Sequence, residues 1–219
     1  MLMRQHVVAG TIAIDVGANV GQYTSVLHRL VKPSGYVVAF EPNPSAYLEL
    51  ALGSRGKRVL PFQVALSNNK GLGRLTVPVS SERGELVQLG TLNTGRILEK
   101  ATYFEVVTER LDSFLPVLNG PVSFMKIDVE GHEFEVLEGA ELLIRKFKPS
   151  ILIEIEKRHQ FRDDGAEITI EWLRSMGMVV EGIFGKELID PFDALERQKD
   201  FEVEASAHKY TNNFICHFA

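Results

Sequence analysis

Five short apolar runs, each followed by a segment of different spacing, limit the folds open to this chain more than any other feature. The runs are rich in β-branched residues and lie at residues 11–16, 36–41, 58–66, 122–129 and 150–156. Near-continuous apolar runs of this length are typical of strands buried on both faces of a sheet. Because strands that alternate with helices form a parallel sheet covered on both faces, the sequence predicts an α/β fold.

Two intervening segments have the apolar spacing of an amphipathic helix. The first has apolar residues at Tyr23, Val26, Leu27, Leu30 and Val31, and the later one at Val136, Leu137, Ala140, Leu143 and Ile144. Pro33 and Pro149 follow these segments, where each helix must stop before the next strand. Farther on, the sequence predicts a helix over 168–177 and strands over 178–184 and 213–218, which give a mostly parallel sheet an antiparallel C-terminal strand.

Residues 68–110 interrupt the alternation of strands and helices. This segment has two short strand-like stretches on either side of a long polar loop, which indicates a β-hairpin and loop insertion. Loops of that length inside a compact domain are usually functional or mobile. A chain of 219 residues with 45% hydrophobic residues suits one domain better than two. We therefore expect a single domain over residues 1–219.

Charge and cysteine content argue against several classes of protein. The formal net charge is −5, with acidic and basic residues intermixed, so a nucleic-acid partner or a polybasic membrane surface is not expected. No apolar run approaches the roughly 18 residues of a membrane span, and the first residues lack a secretory-signal pattern. Cys216 is the only cysteine, so no disulfide can form within the chain. We expect a soluble, cytoplasmic protein.

A glycine-rich turn, DVGANVG, joins the first run to the first helix at residues 15–21. It could be a structural corner, a phosphate cradle or a site for another adenosine-bearing cofactor. Its spacing matches neither the G-x-G-x-x-G dinucleotide motif nor the G-x-x-x-x-G-K-[S/T] phosphate motif. Asp15 would repel a pyrophosphate but can hold a cationic amino group, and Glu41 lies where an acid can reach ribose hydroxyls. These features favour S-adenosylmethionine, which carries an amino acid in place of phosphates.

Several motifs resemble the FkbM family of S-adenosylmethionine-dependent methyltransferases. The similar stretches are IDVGANVGQYTSVL, VVAFEPNPSAYLEL, ALSNNKG, ERLDSFL and MKIDVEGHEFEVLEGAELLIRKFKPSILIEIE. They cover most of residues 11–156, and the K-I-D-V-E-G-x-E block is highly specific. The resemblance implies a Rossmann-like, seven-stranded class I methyltransferase sheet. For most of the family it also implies O-methylation of a hydroxyl on a sugar or another small molecule.

The resemblance also implies a set of cofactor-binding residues, carried over position by position. It assigns to the methionine end of the cofactor Asp15, Gly17, Asn19 and Gly21. Glu41 would bind the ribose, and the Asp128 strand end would meet the cofactor tail. Near the adenine it places Asn43, Ala65 and Leu66. Family members often have helices before the first strand, and this sequence departs from that pattern in its short start. We expect a cover on that side of the cofactor to be missing or to come from another chain.

The block FMKIDVEGHEFEVLEGAELL brings ionisable residues to the end of the fourth strand. Alternation along the strand predicts Lys126, Asp128 and Glu130 on one face, and Gly131 turns the chain into a helix that carries His132. Methyl transfer to oxygen needs a positioned nucleophile and removal of its proton, which a carboxylate or a histidine can perform. We therefore predict Asp128, Glu130 and His132 as catalytic residues.

Structural roles compete with these catalytic ones. Lys126 and Glu154, on neighbouring strands, could form a buried ion pair, and Glu133 suits a capping role in the first turn of its helix. Oxygen ligands for magnesium or calcium could come from Asp128, Glu130, Glu154 and Glu156. Carboxylates at a strand edge are common without a metal, so we predict none.

Three functions remain open from the sequence. The favoured one is an S-adenosylmethionine-dependent O-methyltransferase with a small-molecule hydroxyl acceptor. Residues 68–110 would form one wall of its acceptor pocket, because a site that buries a hydroxyl-rich acceptor must hydrogen-bond it. A nicotinamide-dependent oxidoreductase lacks its glycine motif here. A non-catalytic cofactor-binding module of a larger assembly would keep the fold without turnover.

Overall fold

The computed structural model describes residues 3–80, 84–85, 90–92, 100–160, 162–198 and 210–219. Its strands, in chain order, are β1 (Ile12–Val16), β2 (Tyr36–Phe40), β3 (Val59–Phe62), β4 (Ala65–Leu66), β5 (Gly71–Ser80), β6 (Gly84–Glu85), β7 (Ala101–Glu109), β8 (Val122–Ile127), β9 (Ser150–Glu154), β10 (Met178–Phe184), β11 (Glu187–Ile189) and β12 (Asn213–Phe218). Its α-helices are α1 (Met3–His6), α2 (Gln22–Val31), α3 (Pro44–Gly53), α4 (Glu133–Gly139), α5 (Glu141–Phe147), α6 (Gly165–Ser175) and α7 (Pro191–Glu196).

The main sheet confirms the predicted α/β class. Its strand order is β11-β10-β12-β9-β8-β1-β2-β3. Strands β3, β2, β1, β8 and β9 pair in parallel, whereas β12 runs antiparallel to both β9 and β10, as the sequence predicts for a C-terminal strand. Short strand β11 pairs with β10 at the edge and adds an eighth strand to the seven expected.

Helices cover both faces of this sheet and bury two separate hydrophobic clusters. On one face, α4, α5, α6 and α7 pack against side chains such as Ile14 and Ile127. On the other face, α2 and α3 pack against Ala13 and Val37. The expected single helix after β8 is interrupted at Ala140, so that α4 and α5 are separate elements. The parallel strands therefore end at one edge of the sheet, where their loops can form a site.

The buried face of α2 differs from the one that the apolar spacing indicates. Its buried residues are Thr24, Leu27, His28 and Val31. Tyr23 is 37% exposed. The helix is turned because the Thr24 hydroxyl donates a hydrogen bond to buried Asp15 Oδ2 at 2.5 Å. Tyr23 is therefore a surface residue and not part of the core.

A second, smaller sheet is formed by the insertion. Its order is β4-β7-β5-β6, and β5 pairs with β7 antiparallel from Gly71 opposite Thr108 to Pro78 opposite Ala101. The run at 58–66 is thus divided, because β3 joins the main sheet and β4 joins this one. Much of the polar loop between β5 and β7 lies outside the described residues. Within the described ranges, no helix combines the length and the apolar character needed to cross a membrane.

Candidate active site

A cavity of about 250 Å³ lies at the carboxyl ends of β1, β2, β8 and β9. Most of the site residues expected from the sequence line it, namely Gly17, Asn19, Glu41, Asn43, Ala65, Leu66, Asp128, Glu130 and His132. Glu154, at the end of β9, also lines it. The topology explains this convergence, because parallel strands deliver their C-terminal residues to the same edge of the sheet.

Gly17 brings the ends of β1 and β8 into backbone contact. Its φ is +73°, and a Cβ atom at this position would lie 1.8 Å from the carbonyl oxygen of Asp128. The backbone N–H groups of Gly17 and Ala18 donate to the Phe40 carbonyl at 3.1 and 3.0 Å. Only glycine can take this backbone conformation and this contact together. The turn is therefore built for a close approach of backbones at the floor of the cavity.

Glu41 and Asn43 form a polar wall at the end of β2. Glu41 accepts hydrogen bonds from the N–H of Asn19 at 2.7 Å and of Asn43 at 2.8 Å. Burial raises the pKa of Glu41 to about 7. The Asn43 side chain caps α3 through its oxygen, while its Nδ2 atom is buried with no hydrogen-bond partner in the described structure. An unused donor beside a carboxylate fits the hydroxyls and ring nitrogens of a nucleoside.

Asp15 and Gly21 do not line the cavity, although the sequence analysis assigns them to the cofactor. Asp15 is fully buried beneath the turn, where burial raises the pKa of its carboxyl group. Gly21 has a φ of +90° and precedes the first residue of α2. Both residues therefore shape the turn and the start of α2, Asp15 through the hydrogen bond that it accepts from Thr24 and Gly21 as the N-cap residue.

Lys126 pairs with Asp128 and not with Glu154. Its Nζ atom lies 2.5 Å from Asp128 Oδ2, and it also lies 4.5 Å from the centre of the Tyr23 ring. Burial disfavours the ammonium, yet Asp128 and Asp15 raise the pKa of Lys126 above its ordinary value. Lys126 therefore stays protonated near neutral pH and holds the carboxylate of Asp128 through a charge-assisted hydrogen bond.

Glu154 has a different environment at the end of β9. Its Oε1 atom accepts a hydrogen bond from Asn212 Nδ2 at 2.6 Å. Burial, together with the negative charges of Asp128 and Glu130, raises the pKa of Glu154 to about 8. Glu154 therefore retains a proton near neutral pH, whereas neighbouring Asp128 lies against the Lys126 ammonium.

Glu130 departs from the strand geometry expected for it. Strand β8 ends at Ile127, and Glu130 has a φ of +56°. A Cβ atom on the following Gly131 would lie 2.0 Å from the His159 carbonyl oxygen, so the loop after β8 packs closely on the loop after β9. Glu130 therefore belongs to a loop–loop contact and not to the strand face that carries Lys126.

His159 links the two loops through its Nδ1 atom, which lies 2.7 Å from Glu130 Oε2 and 3.0 Å from Glu156 Oε2. Burial disfavours a charged ring, but hydrogen bonds to the two glutamates raise the pKa of His159 to about 9. Burial likewise opposes ionisation of Glu156, whereas hydrogen bonds from His159 and Tyr210 lower its pKa to about 2. Sequence reasoning missed His159, although ionisable residues directly after a strand, as in EIEKRH, were a usable signal.

His132 and Glu133 open α4 and have separate roles. His132 Nε2 lies 3.0 Å from Ser67 Oγ, and burial lowers the pKa of the ring, which keeps it neutral at pH 7. Glu133 accepts hydrogen bonds from the Gly131 N–H at 2.9 Å and from Gln160 Nε2 at 3.0 Å. Glu133 thus lies in the first turn of α4 as predicted, but its hydrogen bonds go to the preceding loop and to Gln160, and the N-cap residue His132 makes no side-chain capping hydrogen bond.

Two groups of side chains have the spacing of metal ligands. They are Asp128, Glu130 and Glu154, and also Glu130, Glu156 and His159. In each group a protein cation already contacts the carboxylates, since Lys126 pairs with Asp128 and His159 pairs with both glutamates. These contacts supply the positive charge that a metal would otherwise bring.

The insertion contributes Leu75, Gly90 and Leu92 to the cavity. Leu75 packs with Ala65 and Leu92 in a small hydrophobic cluster, and the backbones of Thr76 and Thr91 exchange two hydrogen bonds at 2.8 and 3.0 Å. These described residues cover the end of the cavity next to Ala65 and Leu66, where the sequence analysis expects an adenine.

Known proteins resemble this chain in sequence and in fold. The family model for the methyltransferase FkbM domain matches residues 15–180. A hexuronic acid methyltransferase, AglP, from Haloferax volcanii is 29% identical over 130 residues, which are 57% of this chain and 48% of that protein. The chain thus spans about half the length of this curated relative.

Two solved structures illustrate the shared fold. The FkbM methyltransferase from Methylobacillus flagellatus has a TM-score of 0.59 at 14% identity, over 96% of this chain and 44% of that one. The O-methyltransferase TomG from Streptomyces achromogenes, solved in complex with S-adenosylmethionine, has a TM-score of 0.54 at 14% identity, over 100% of this chain and 76% of that one. With a family match across most of its length, this chain belongs to the FkbM methyltransferase family, which uses S-adenosylmethionine.

Proposed function

We propose that this chain is an O-methyltransferase that acts on a hydroxyl of a sugar or another small molecule, and that residues 1–219 work as one domain. The observation that carries the proposal is the single cavity that joins Glu41 and Asn43 to Asp128 and Glu154. A nucleoside-binding wall and a set of ionisable groups thus share one space. The name of the Haloferax volcanii relative, a hexuronic acid methyltransferase, supports a sugar acceptor.

The cofactor-binding residues follow from the wall of this cavity. We assign the ribose hydroxyls to the carboxylate of Glu41, since each of its oxygens still has a free lone pair after the backbone hydrogen bonds. The unpartnered Nδ2 of Asn43, with Ala65 and Leu66, would hold the adenine. The turn at Gly17 and Asn19 and the carboxylate of Asp128 would hold the amino-acid end.

When bound, the cofactor supplies an electrophilic methyl group on a sulfonium. This chain must bring the acceptor oxygen into line with that group, exclude water and remove a proton. Asp128, Glu130 and His132 line the end of the cavity where these tasks fall. Asp128, as a lysine-paired anion, is suited to electrostatic positioning, and neutral His132 is suited to accept or relay a proton.

Residues 68–110 are proposed to form one wall of the space in which cofactor and acceptor meet. Leu75, Gly90 and Leu92 support the cofactor side of this wall. The polar loop between β5 and β7 completes this segment, and most of it lies outside the described residues.

Calorimetric titration with S-adenosylmethionine and S-adenosylhomocysteine tests the cofactor site, with NADH as the control ligand. We expect Glu41→Ala to weaken binding by about 1–3 kcal/mol, because the variant removes a buried, charged hydrogen-bond partner. Glu49→Ala, an exposed change on α3, is the matched control and leaves affinity unchanged. Binding of NADH, with no binding of S-adenosylmethionine or S-adenosylhomocysteine, would instead indicate an oxidoreductase. Cofactor binding without turnover across a broad acceptor panel would favour a non-catalytic module.

A further inference from the structure

A second cavity, of about 670 Å³, lies beyond the Lys126–Asp128 pair. Its polar and aromatic lining includes Gln5, Tyr23, Lys186, Tyr210, Asn212 and Asn213. Tyr23 lines this cavity because α2 is turned away from the orientation that its apolar spacing indicates. Aromatic faces beside carboxamides are well suited to a sugar, whose C–H face stacks on a ring while its hydroxyls take the hydrogen bonds.

Contacts among five side chains connect the walls of the two cavities, which share no lining residue. Asn212, which lines the second cavity, donates a hydrogen bond at 2.6 Å to Glu154, which lines the first. Tyr23, in the second cavity, contacts Lys126, whose ammonium lies 2.5 Å from Asp128 in the first. A molecule in the second cavity would therefore lie against Asn212 and Tyr23, and its reacting hydroxyl would have to extend past the Asn212–Glu154 contact into the cofactor cavity.

Of the two carboxylates in these contacts, Glu154 is the better suited to remove a proton. Asp128 is already engaged by the Lys126 ammonium, which lies 2.5 Å from its Oδ2 atom. The partner of Glu154 is the neutral amide of Asn212, and the surrounding negative charges raise its pKa to about 8. A carboxylate whose pKa lies near the working pH is the effective kind of general base.

We propose that the second cavity receives a sugar acceptor and that Glu154 accepts the proton of its reacting hydroxyl, a role that rests on the proposed function. The acceptor oxygen forms a bond to the methyl carbon while the carbon–sulfur bond breaks. The electron pair of that bond stays on the sulfur of the released S-adenosylhomocysteine, and the hydroxyl proton passes to a Glu154 carboxylate oxygen. Lys186, which lines the cavity next to the acidic residue Glu187, supplies a cation for a sugar that carries a carboxylate.

Occupancy of the second cavity is tested by blocking it. Leu188→Trp places a large ring at an exposed lining position, and Leu142→Trp makes the same change at an exposed position on α5. The probe is p-nitrophenyl β-D-glucuronide, titrated into protein saturated with S-adenosylhomocysteine, with the corresponding glucoside as a second probe. We expect at least a tenfold loss of probe affinity in Leu188→Trp and none in Leu142→Trp.

The titration separates this inference from the proposed function. If S-adenosylhomocysteine does not bind, the proposed function fails. If it binds but neither sugar probe does, or if Leu188→Trp binds the probes as the parent protein does, the acceptor site proposed here is overturned.

The role of Glu154 is tested with Glu154→Gln, which keeps an oxygen for Asn212 and removes the base. We expect kcat to fall at least 100-fold with KM and S-adenosylhomocysteine affinity within threefold, while Glu141→Gln, a surface change on α5, has no effect. The ascending limb of the pH–kcat profile should disappear. The groups that face Glu154 and share its titration are Lys126, Asp128, Glu130, Glu156 and Tyr210.

A readout that needs no turnover is the carboxyl resonance of Glu154 in protein labelled with ¹³C at glutamate Cδ, assigned by its loss in Glu154→Gln. In the S-adenosylhomocysteine complex it should titrate near neutral pH and shift when the glucuronide probe is added. Unchanged kcat in Glu154→Gln, or a resonance that does not respond to the probe, overturns the assignment of Glu154 as the base.

Discussion

Gly17 is the residue at which the chain tolerates least change, because its α-carbon faces a backbone carbonyl. Backbone cannot move aside as a flexible side chain can, so the contact with Asp128 fixes the separation of β1 and β8 at the site. The same argument applies to Gly131, whose α-carbon faces the His159 carbonyl. Two glycines thus set the shape of the cavity edge without contacting any ligand through a side chain.

Gly17→Ala should destabilise the fold by more than about 2 kcal/mol, since left-handed strain alone costs about 1–2 kcal/mol and a clash with backbone adds to it. Affinity for S-adenosylhomocysteine should fall more than tenfold. Gly53→Ala is the control, because a Cβ atom there meets nothing within 4 Å. Urea denaturation and calorimetry measure both effects, and a Gly17→Ala protein as stable as Gly53→Ala would contradict the structural account.

The pKa of Glu41, raised by burial to about 7, makes cofactor affinity depend on pH. Ribose hydroxyls donate to the ionised carboxylate, so the protonated form must lose its proton on binding. We expect affinity for S-adenosylhomocysteine to fall, by at most about tenfold per pH unit, as the pH decreases below 7. Glu41→Gln should remove most of this dependence while Glu154→Gln retains it. A parent protein with equal affinity at pH 5.5 and pH 8 would refute the assignment of Glu41 to the ribose.

At the scale of elements, the insertion and the rotation of α2 decide what surrounds the reacting groups. The β5–β7 hairpin carries Leu75 and, through Thr91, the segment with Leu92 over one end of the cavity. Helix α2 buries Thr24 and leaves Tyr23 on the surface, beside Lys126. The cofactor cavity is therefore covered at one end by an inserted hairpin and bordered at the other by the start of a helix.

Shortening the hairpin tests the insertion. The Val79 N–H donates to the Lys100 carbonyl at 3.0 Å, so these residues can be joined by Asn-Gly, the preferred two-residue hairpin turn. We expect weaker S-adenosylhomocysteine binding, because Gly90 and Leu92 are removed from the wall of the first cavity. The described residues of this segment do not line the second cavity, so the acceptor KM reports whether the loop also contacts the sugar. Acceptor affinity that stays unchanged would exclude the loop as a wall of the acceptor pocket. Circular dichroism confirms that the shortened protein keeps its sheet.

At the scale of the whole molecule, the sheet edge gathers buried acids whose pKa values are raised. Burial raises the pKa of Glu133 to about 7, and Glu41 and Glu154 have raised values of about 7 and 8. Each of these groups favours the folded state only while it can stay protonated. Their contribution is complete below the ordinary glutamate pKa of 4.5 and is lost as the pH rises through the folded values. His159 changes the stability in the same direction. Because its pKa is raised to about 9, its contribution to the free energy of unfolding is lost as the pH rises from 6.5 towards 9.

The free energy of unfolding of the ligand-free protein should therefore decrease between pH 6.5 and pH 8. The histidines with lowered pKa values oppose this trend only near the lower end of the window, where their rings are still partly protonated in the unfolded state. His159→Gln should be less stable than the parent protein at pH 6.5, by roughly 1–3 kcal/mol, and should show a smaller decrease towards pH 9. Urea unfolding at a series of pH values measures this, and a parent protein whose stability rises across the window would disprove it.

Local pattern was enough to predict the class of fold and most of the cavity wall. Apolar runs identify strands because burial on both faces is a property of each run. The residues that end parallel strands share one edge of the sheet, and this does not depend on how their side chains pack. Glu41 and Asp128 were located in this way, whereas Asn43 came from the family resemblance, and Cys216 is buried as its position in a strand suggests.

Tertiary structure alone decided the partners and orientations. Three findings depend on distances between elements that are far apart in the chain. Lys126 pairs with Asp128 and not with Glu154, and His159 contacts both Glu130 and Glu156. Tyr23 is exposed. The positions of Asp15 and Gly21 outside the cavity lining are of the same kind. Periodicity reports which side of an element is apolar, but the free energy of a buried charge depends on the few atoms packed around it, and those atoms come from other elements.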